Sequence, residues 1–420
     1  MLLEALYLLF WCVMISYMFR HYVFSFTAIK YRKDFPIARQ AGCRLFSVSI
    51  LIPARNEEKV IGRLLERLTN LTYPRDMVEV IVVNDSSTDS TGQIAETYTS
   101  KHRNFIKVIN RRNGGNGKAE ALNEDLHHAK GEIICCFDAD YIPQSDFLQK
   151  MLPLFSDSRV GVVQGRIHVL NENESWISKI VALERIGGYR VSQYAREKLG
   201  LTPQYAGTMG LIRRDLLMSF GGFNPNILAE DTDLTCKLIL TGRKVKYVNY
   251  AESGEEAPGS LGDYWRQRNR WAIGHMQCAF NHTLALLKSR KLTLKQKIDS
   301  IMLLGIYFLP VLVLLSWFLL CFLFILSPPS LLPYSVSLVA TVFFFLNGNV
   351  APFLEVVAGA VCDRRRRLIR YIPLLAIAYI VNVFICFKAF LHVTFAQLTG
   401  RNINHWHKTT HNGLVSQYVP

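Results

Sequence analysis

The sequence predicts an α/β domain on a doubly wound, Rossmann-like mixed sheet, flanked by N-terminal and C-terminal transmembrane helices. Three observations predict it. Short apolar, β-branched runs alternate with helical patterns in the middle of the chain. Long apolar runs gather at the two ends, and Lys and Arg cluster beside them. The 420 residues are 50% hydrophobic yet carry a net charge of +15. The aromatic content of 12% and the mean hydropathy of +0.16 exclude intrinsic disorder. Nine cysteines in a chain this long exclude a disulfide scaffold. Basic charge alone would fit a nucleic-acid binder. Beside apolar runs it fits cytoplasmic loops of a membrane protein.

The first element is the apolar run 5–19, closed by Arg20 and His21 and followed by Lys30, Arg32 and Lys33. A secretory signal would start basic and end at a small-residue cleavage site. Here the start carries Glu4 and the positive charges follow the run, so residues 1–43 read as a retained anchor whose C-terminal side is cytoplasmic. At the other end, Ile301–Leu326, Leu331–Leu346 running into Asn347–Val361, and Tyr371–Phe395 are candidate spans, since about 20 apolar residues cross a bilayer. Arg364–Arg367 lies between two of them, as a cytoplasmic loop does.

Between the ends, Phe46–Ile52, Val78–Val83, Phe105–Ile109 and Glu132–Phe137 have the signature of buried parallel strands. Helical patterns at Glu57–Leu68, Ser90–Thr99 and Lys118–His128 separate them. Doubly wound sheets bind ligands at the carboxyl ends of their strands. The polar residues fall there: Pro53-Ala54-Arg55-Asn56-Glu57 after the first strand, Asn84-Asp85-Ser86-Ser87 after the second, and Asp138-Ala139-Asp140 after the fourth. Singly, each would pass for an ordinary turn or helix cap. Three on one edge point to a site. Asp138 and Asp140 can share one hard divalent cation, Mg²⁺ or Mn²⁺, which neutralises charge on a departing diphosphate.

The Gly-rich segment 113–118 is neither a P-loop nor a dinucleotide fingerprint, and reads as a loop delivering Lys118 to a phosphate. Ala229-Glu230-Asp231-Thr232-Asp233 opens a helical pattern, where the acids either complement the helix dipole or supply a general base. Gln267-Arg268-Asn269-Arg270-Trp271 sits on an amphipathic helix before the membrane, where snorkelling arginines and an interfacial Trp are the ordinary alternative.

In order, Asp85, Asp138-x-Asp140, Glu230-Asp231 and Gln267-x-x-Arg270-Trp271 resemble the D, DxD, (T)ED and QxxRW set of membrane-integrated family 2 glycosyltransferases. These include cellulose, hyaluronan, chitooligosaccharide and poly-N-acetylglucosamine synthases. The resemblance runs from about Ser47 to Trp271 and includes Lys118 with Ala121-Leu122-Asn123, Val163–Arg166 and Gly207–Gly210. Two departures, Asn84 and Ala229, leave the charged residues in place. The tail's Trp406-His407-Lys408 resembles the Trp-x-Lys end of the smaller synthases, with His411 where Arg is expected; His405, His407 and His411 otherwise read as interfacial. No gating loop of the cellulose synthase type follows, which weakens a cellulose assignment, and length and compactness point towards the poly-N-acetylglucosamine and chitooligosaccharide enzymes.

The resemblance implies a GT-A domain at 44–260, interface helices at 261–299, spans within 300–400 and a tail at 401–420. It implies that Ala54, Arg55, Glu57 and Asp85 hold the uridine of a UDP-sugar, UDP-GlcNAc or UDP-Glc, with Lys118 and Asp138 near its diphosphate. Asp140, with Asp138, would bind the divalent cation, and Asp231 would be the base. Glu230, Gln267, Arg270 and Trp271 would serve the diphosphate and the acceptor sugar. The implied product is a β-linked polysaccharide made processively and exported through the chain's own spans, in a bacterial plasma membrane with the domain facing the cytoplasm and no nucleic acid involved. Transfer to a membrane lipid is the alternative.

Overall fold

The computed structural model describes residues 2–33, 44–112, 114–115, 117–326, 350–400 and 411–413. Helix α1 (Leu2–Lys30) precedes the α/β domain. The domain's parallel half comprises β1 (Val48–Ala54), α2 (Ile61–Thr69), β2 (Val78–Asp85), α3 (Thr91–Lys101), β3 (Ile106–Arg111), α4 (Lys118–His128) and β4 (Ile133–Cys136). Its second half comprises β5 (Ile142–Pro143), α5 (Phe147–Met151), β6 (Val160–Val169), α6 (Trp176–Arg185), α7 (Tyr194–Leu199), β7 (Gly210–Arg213), α8 (Arg214–Ser219), α9 (Glu230–Thr241) and β8 (Lys244–Glu255). Helices α10 (Leu261–Lys288), α11 (Leu294–Gly305) and α12 (Leu309–Leu326) follow, then the helices Val350–Cys362 and Ile372–Thr399.

One eight-stranded sheet runs in the order β3-β2-β1-β4-β7-β6-β8-β5. β1 pairs in parallel with β2 and β4, so the loops after all three open on one edge. β7 then inserts antiparallel between β4 and β6 and makes the sheet mixed. Strand alternation explains the layers. Ile50 and Ile52 of β1 pack with Leu64 and Leu68 of α2, whereas Leu51 faces the other way, towards Leu122 of α4 and Leu234 of α9.

Two sequence expectations shift. α2 begins at Ile61 rather than Glu57, because Asn56 is left-handed (φ 55°) and the Glu57 and Glu58 amides are spent on Thr91 Oγ1 and Asp89 Oδ2. The span expected at Ile301–Leu326 is not straight: α11 and α12 meet at a 72° bend. Gly305 ends α11 against the Tyr17 hydroxyl, and Pro310 stands in the first turn of α12, where its missing N–H costs nothing. The candidate span Leu331–Leu346 lies outside the described residues. Among those described, the one unbroken helix long and apolar enough to cross a membrane lies within Arg366–Thr399, with mean hydropathy 2.3.

Candidate active site

All twelve side chains singled out in the sequence line one cavity of about 390 Å³ at the carboxyl edge of β1, β2 and β4: Ala54, Arg55, Glu57, Asp85, Lys118, Asp138, Asp140, Glu230, Asp231, Gln267, Arg270 and Trp271. The backbone there is held in uncommon conformations. Asn56, Ser86 and Met209 all have φ near +50°, a strained region for non-glycine residues that cross-loop bonds must maintain. Asn56 supplies two of them, donating its N–H to Ser87 Oγ and accepting from the Thr88 amide.

At the sheet edge Asp85 is 5% exposed, accepting from Arg111 Nη1 (2.7 Å) and the Gly115 amide (3.0 Å). Lys118 at the start of α4 pairs with Asp138 (2.7 Å) and Glu230 (3.6 Å) and donates to Gly207 O (3.1 Å). Burial opposes its ammonium, but Asp138, Glu230 and Asp231 outweigh burial and hold its pKa above the ordinary lysine value. Asp140 is pushed up to about 6, chiefly by burial and further by Asp138, Glu57 and Glu255, while His411 works the other way.

His411 is the residue the sequence reading missed. Read as interfacial, it instead places Nδ1 3.0 Å from Glu57 Oε2 and Nε2 3.8 Å from Asp140 Oδ2. The amides of Asn412 and Gly413 (2.5 and 3.1 Å) both donate to Glu256, fixing residues 411–413 beside Glu57 and Asp140. Burial disfavours the imidazolium, yet Asp140, Glu57 and Glu256 raise its pKa to about 9. Trp406, His407 and Lys408 lie outside the described residues, as does His405.

At the centre, Asp231 stands in the first turn of α9 and accepts from the Thr232 amide at 2.7 Å. Burial raises the pKa of Asp231 and of Glu230 above the carboxylate norm, with Lys118 and Arg270 opposing. Helix α10 passes close by. A Cβ on Gly274 would fall 2.5 Å from the Ala229 amide, so only glycine lets α10 approach the loop before Asp231 so nearly. That approach brings Arg270, Trp271 and His275 over the cavity. Arg270 Nε and Gln267 Oε1 are buried without a hydrogen-bond partner among the described residues. Trp271 lies under the guanidiniums of Arg268 (4.3 Å) and Arg185 (5.1 Å). His275 was not anticipated, although its place four residues after Trp271 puts it on the same helix face. Its Nε2 lies 3.1 Å from Thr232 Oγ1.

Among the described residues no three His, Cys, Asp or Glu groups converge on one metal position. The donor chemistry still fits a hard cation. Asp140 is surrounded by carboxylates that raise its pKa, and a cation completing its shell with phosphate oxygens and water suits such a set.

A glycosyltransferase-like family 2 model matches residues 46–274, and the chain belongs to that family. Among its relatives, the probable glycosyltransferase YdaM of Bacillus subtilis (strain 168) is 33% identical over 67% of this chain and 68% of its own length. The beta-monoglucosyldiacylglycerol synthase of Nostoc sp. (strain PCC 7120) is 36% identical, over 63% of this chain and 56% of its own. The poly-beta-1,6-N-acetyl-D-glucosamine synthase of Staphylococcus epidermidis is 28% identical, over 59% of each. Alignments thus span between about half and two thirds of these relatives. In fold, the chain is similar to a mannosyltransferase of Pyrobaculum calidifontis solved with GDP-Man and Mn²⁺ (TM-score 0.58, 22% identity, 86% of this chain and 98% of that one). The fold is therefore GT-A-like, with a curled mixed sheet.

Proposed function

We propose that this family 2 glycosyltransferase is an inverting, UDP-sugar-dependent hexosyltransferase that works at a membrane and passes its sugar to a lipid acceptor. The observation that carries this reading is the continuity of the cavity. It extends from Arg55 and Asp140 past Asp231 to Arg20 of α1 and Ile306 at the α11–α12 bend. The higher identity to the glucosyldiacylglycerol synthase, 36% against 28%, favours lipid over polymer. The Gln267-x-x-Arg270-Trp271 segment favours the processive polymer reading expected from the sequence, which is kept as the second.

Asp85, Arg55 and Glu57 would hold the nucleoside, with Lys118 and Arg270 against the diphosphate. Asp138, Asp140 and His411 would hold a divalent cation, which when bound offsets charge on the diphosphate. Asp231 would take the proton from the acceptor hydroxyl as its oxygen bonds to the anomeric carbon. The bond from that carbon to the diphosphate breaks, UDP departs with the electron pair, and the single displacement inverts an α-linked donor. A raised pKa makes Asp231 a better proton acceptor than an ordinary carboxylate. Residues 1–43 and the apolar helices would anchor the domain, with residues 44–260 in the cytoplasm. With His411 in the site, the tail shares the domain's side, so the chain between residues 300 and 400 would cross an even number of times.

The test is purified full-length protein in detergent with UDP-Glc or UDP-GlcNAc, Mg²⁺ or Mn²⁺, and added lipid. The expected result is UDP release with one donor and labelled sugar extracted into organic solvent. Label held in high-molecular-weight aqueous material would establish the polymer reading. Release of UDP from neither donor would overturn the donor assignment.

A further inference from the structure

The end of the cavity beside α1 and the α11–α12 bend holds two buried guanidiniums that the chemistry above does not use. Arg20 of α1 is 7% exposed and Arg196 of α7 is 3% exposed, and both line the cavity. They share one carboxylate. Asp299 of α11 sits 2.9 Å from Arg196 Nε and 3.6 Å from Arg20 Nε. Among the described residues Arg20 makes no hydrogen bond, its Nε is buried unpartnered, and so is Arg196 Nη2. Glu355, on the apolar helix Val350–Cys362, is also near, but it is engaged by His21 and by the Ser192 hydroxyl (2.5 Å). Phe24 holds the two forks side by side, with its ring 4.7 Å from Arg20 Cζ and 5.5 Å from Arg196 Cζ.

A buried guanidinium with unspent donors is costly unless a ligand supplies acceptors, and its planar fork matches phosphate oxygens. The position says where such a phosphate comes from. On α1, Phe19 and Phe26 are 66% and 68% exposed, an apolar face turned outwards while Arg20 and Phe24 turn in. Arg20 is ten residues before Lys30, or about 15 Å along the helix from its basic end. Leu303 and Ile306 of the α11–α12 bend line the same cavity. A group entering here passes apolar side chains before it meets the arginines.

We propose that Arg20 and Arg196 form an acceptor subsite for the phosphate of a membrane lipid, so that the acceptor is a phosphate-bearing lipid rather than a neutral glyceride. This rests on the lipid-acceptor reading above. The test measures lipid retention by native mass spectrometry on full-length protein in detergent. The probes are phosphatidylglycerol, phosphatidylinositol, diacylglycerol and inorganic phosphate. At least one phosphate lipid should be retained tenfold more tightly than diacylglycerol, and whichever of the two is retained identifies the source. Arg20→Gln and Arg196→Gln should each reduce that preference about tenfold, and Arg20→Lys should restore part of it. UDP binding on the same preparations reports folding. If a variant does not fold, the wild-type preference decides alone. Equal retention of diacylglycerol, or displacement of the lipid by millimolar inorganic phosphate, overturns the subsite. Sugar transfer without any phosphate preference would sink the subsite alone. A clear preference without transfer from either UDP-sugar would sink the donor assignment instead.

Discussion

The two ends of the cavity are built from opposite charges on different supports. The donor end rests on the sheet edge, where Asp140 lies among Asp138, Glu57 and Glu255 and is moderated by His411. The other end rests on helices, where Arg20 and Arg196 line the wall. In the proposed reaction the carboxylates of the first end would be offset by a cation when a diphosphate binds, and the guanidiniums of the second would take acceptor oxygens from a ligand. Asp231 stands between them with Lys118 and Arg270 on either side. On the proposed mechanism this division would put the leaving group on the strand side and the incoming nucleophile on the helix side.

The most direct way to break this comparison is at its centre. Asp231→Asn keeps the shape and the Thr232 contact but removes the proposed base, so transfer should fall by about 10³-fold or more while UDP still binds. Both are measured on one preparation, by UDP release and by calorimetry. Near-normal turnover would mean that the proton leaves by another route.

The next prediction tests the donor end alone. Glu57 accepts from His411 Nδ1, which leaves Nε2 facing Asp140, the arrangement in which a carboxylate orients a histidine ligand. His411→Ala and Glu57→Gln should weaken Mn²⁺ binding in the presence of UDP by about 10- to 100-fold, read from the spin-resonance signal of free Mn²⁺. Unchanged affinity in both would leave His411 as a clasp for the tail. Chelator should abolish transfer by the wild type, and added Mn²⁺ should restore it.

The donor end was the more legible of the two. Its strands are short β-branched runs, and their polar loops stand just after them in sequence, as with Ile50–Ala54 followed by Arg55 and Glu57. Four strands, β5 to β8, were not read, β5 being only two residues long and β6 being taken only as a motif at Val163–Arg166. β7 has only four residues, and β8 (KVKYVNYAESGE) carries too many charged and small residues to look buried, because its Glu255 faces Arg185 in a partly buried pair. His411 could not be placed, since 354 positions separate it from Glu57. The acceptor end hides for a related reason. Arg20 lies in an apolar helix, Arg196 in α7 and Asp299 in α11, and only packing unites them. The π-helical turn Ile186–Gln193 between α6 and α7, which turns Gly188 and Ser192 to the cavity, has no sequence period of its own.

The smallest effect lies at the junction of the two ends. His275 donates Nδ1–H to Trp271 O (2.9 Å) and sets Nε2 against Thr232 Oγ1, whose amide holds Asp231. Burial lowers its pKa to about 4, with the Trp271 carbonyl opposing, whereas an unfolded chain has about 6.5. The folded value is the lower one, so below about pH 6.5 the unfolded state takes the proton first, and stability drains as pH falls towards about 4. His275→Gln retains a donor and cannot titrate. At pH 8 the wild type should be the more stable by about 1 kcal/mol, the net worth of one hydrogen bond. The gap in melting temperature should then close between pH 7 and pH 5. A gap that stays constant over that range would show that His275 is solvated or already paired with a proton, and that the junction is not as dry as its packing against Tyr307, 4.5 Å between ring centres, requires.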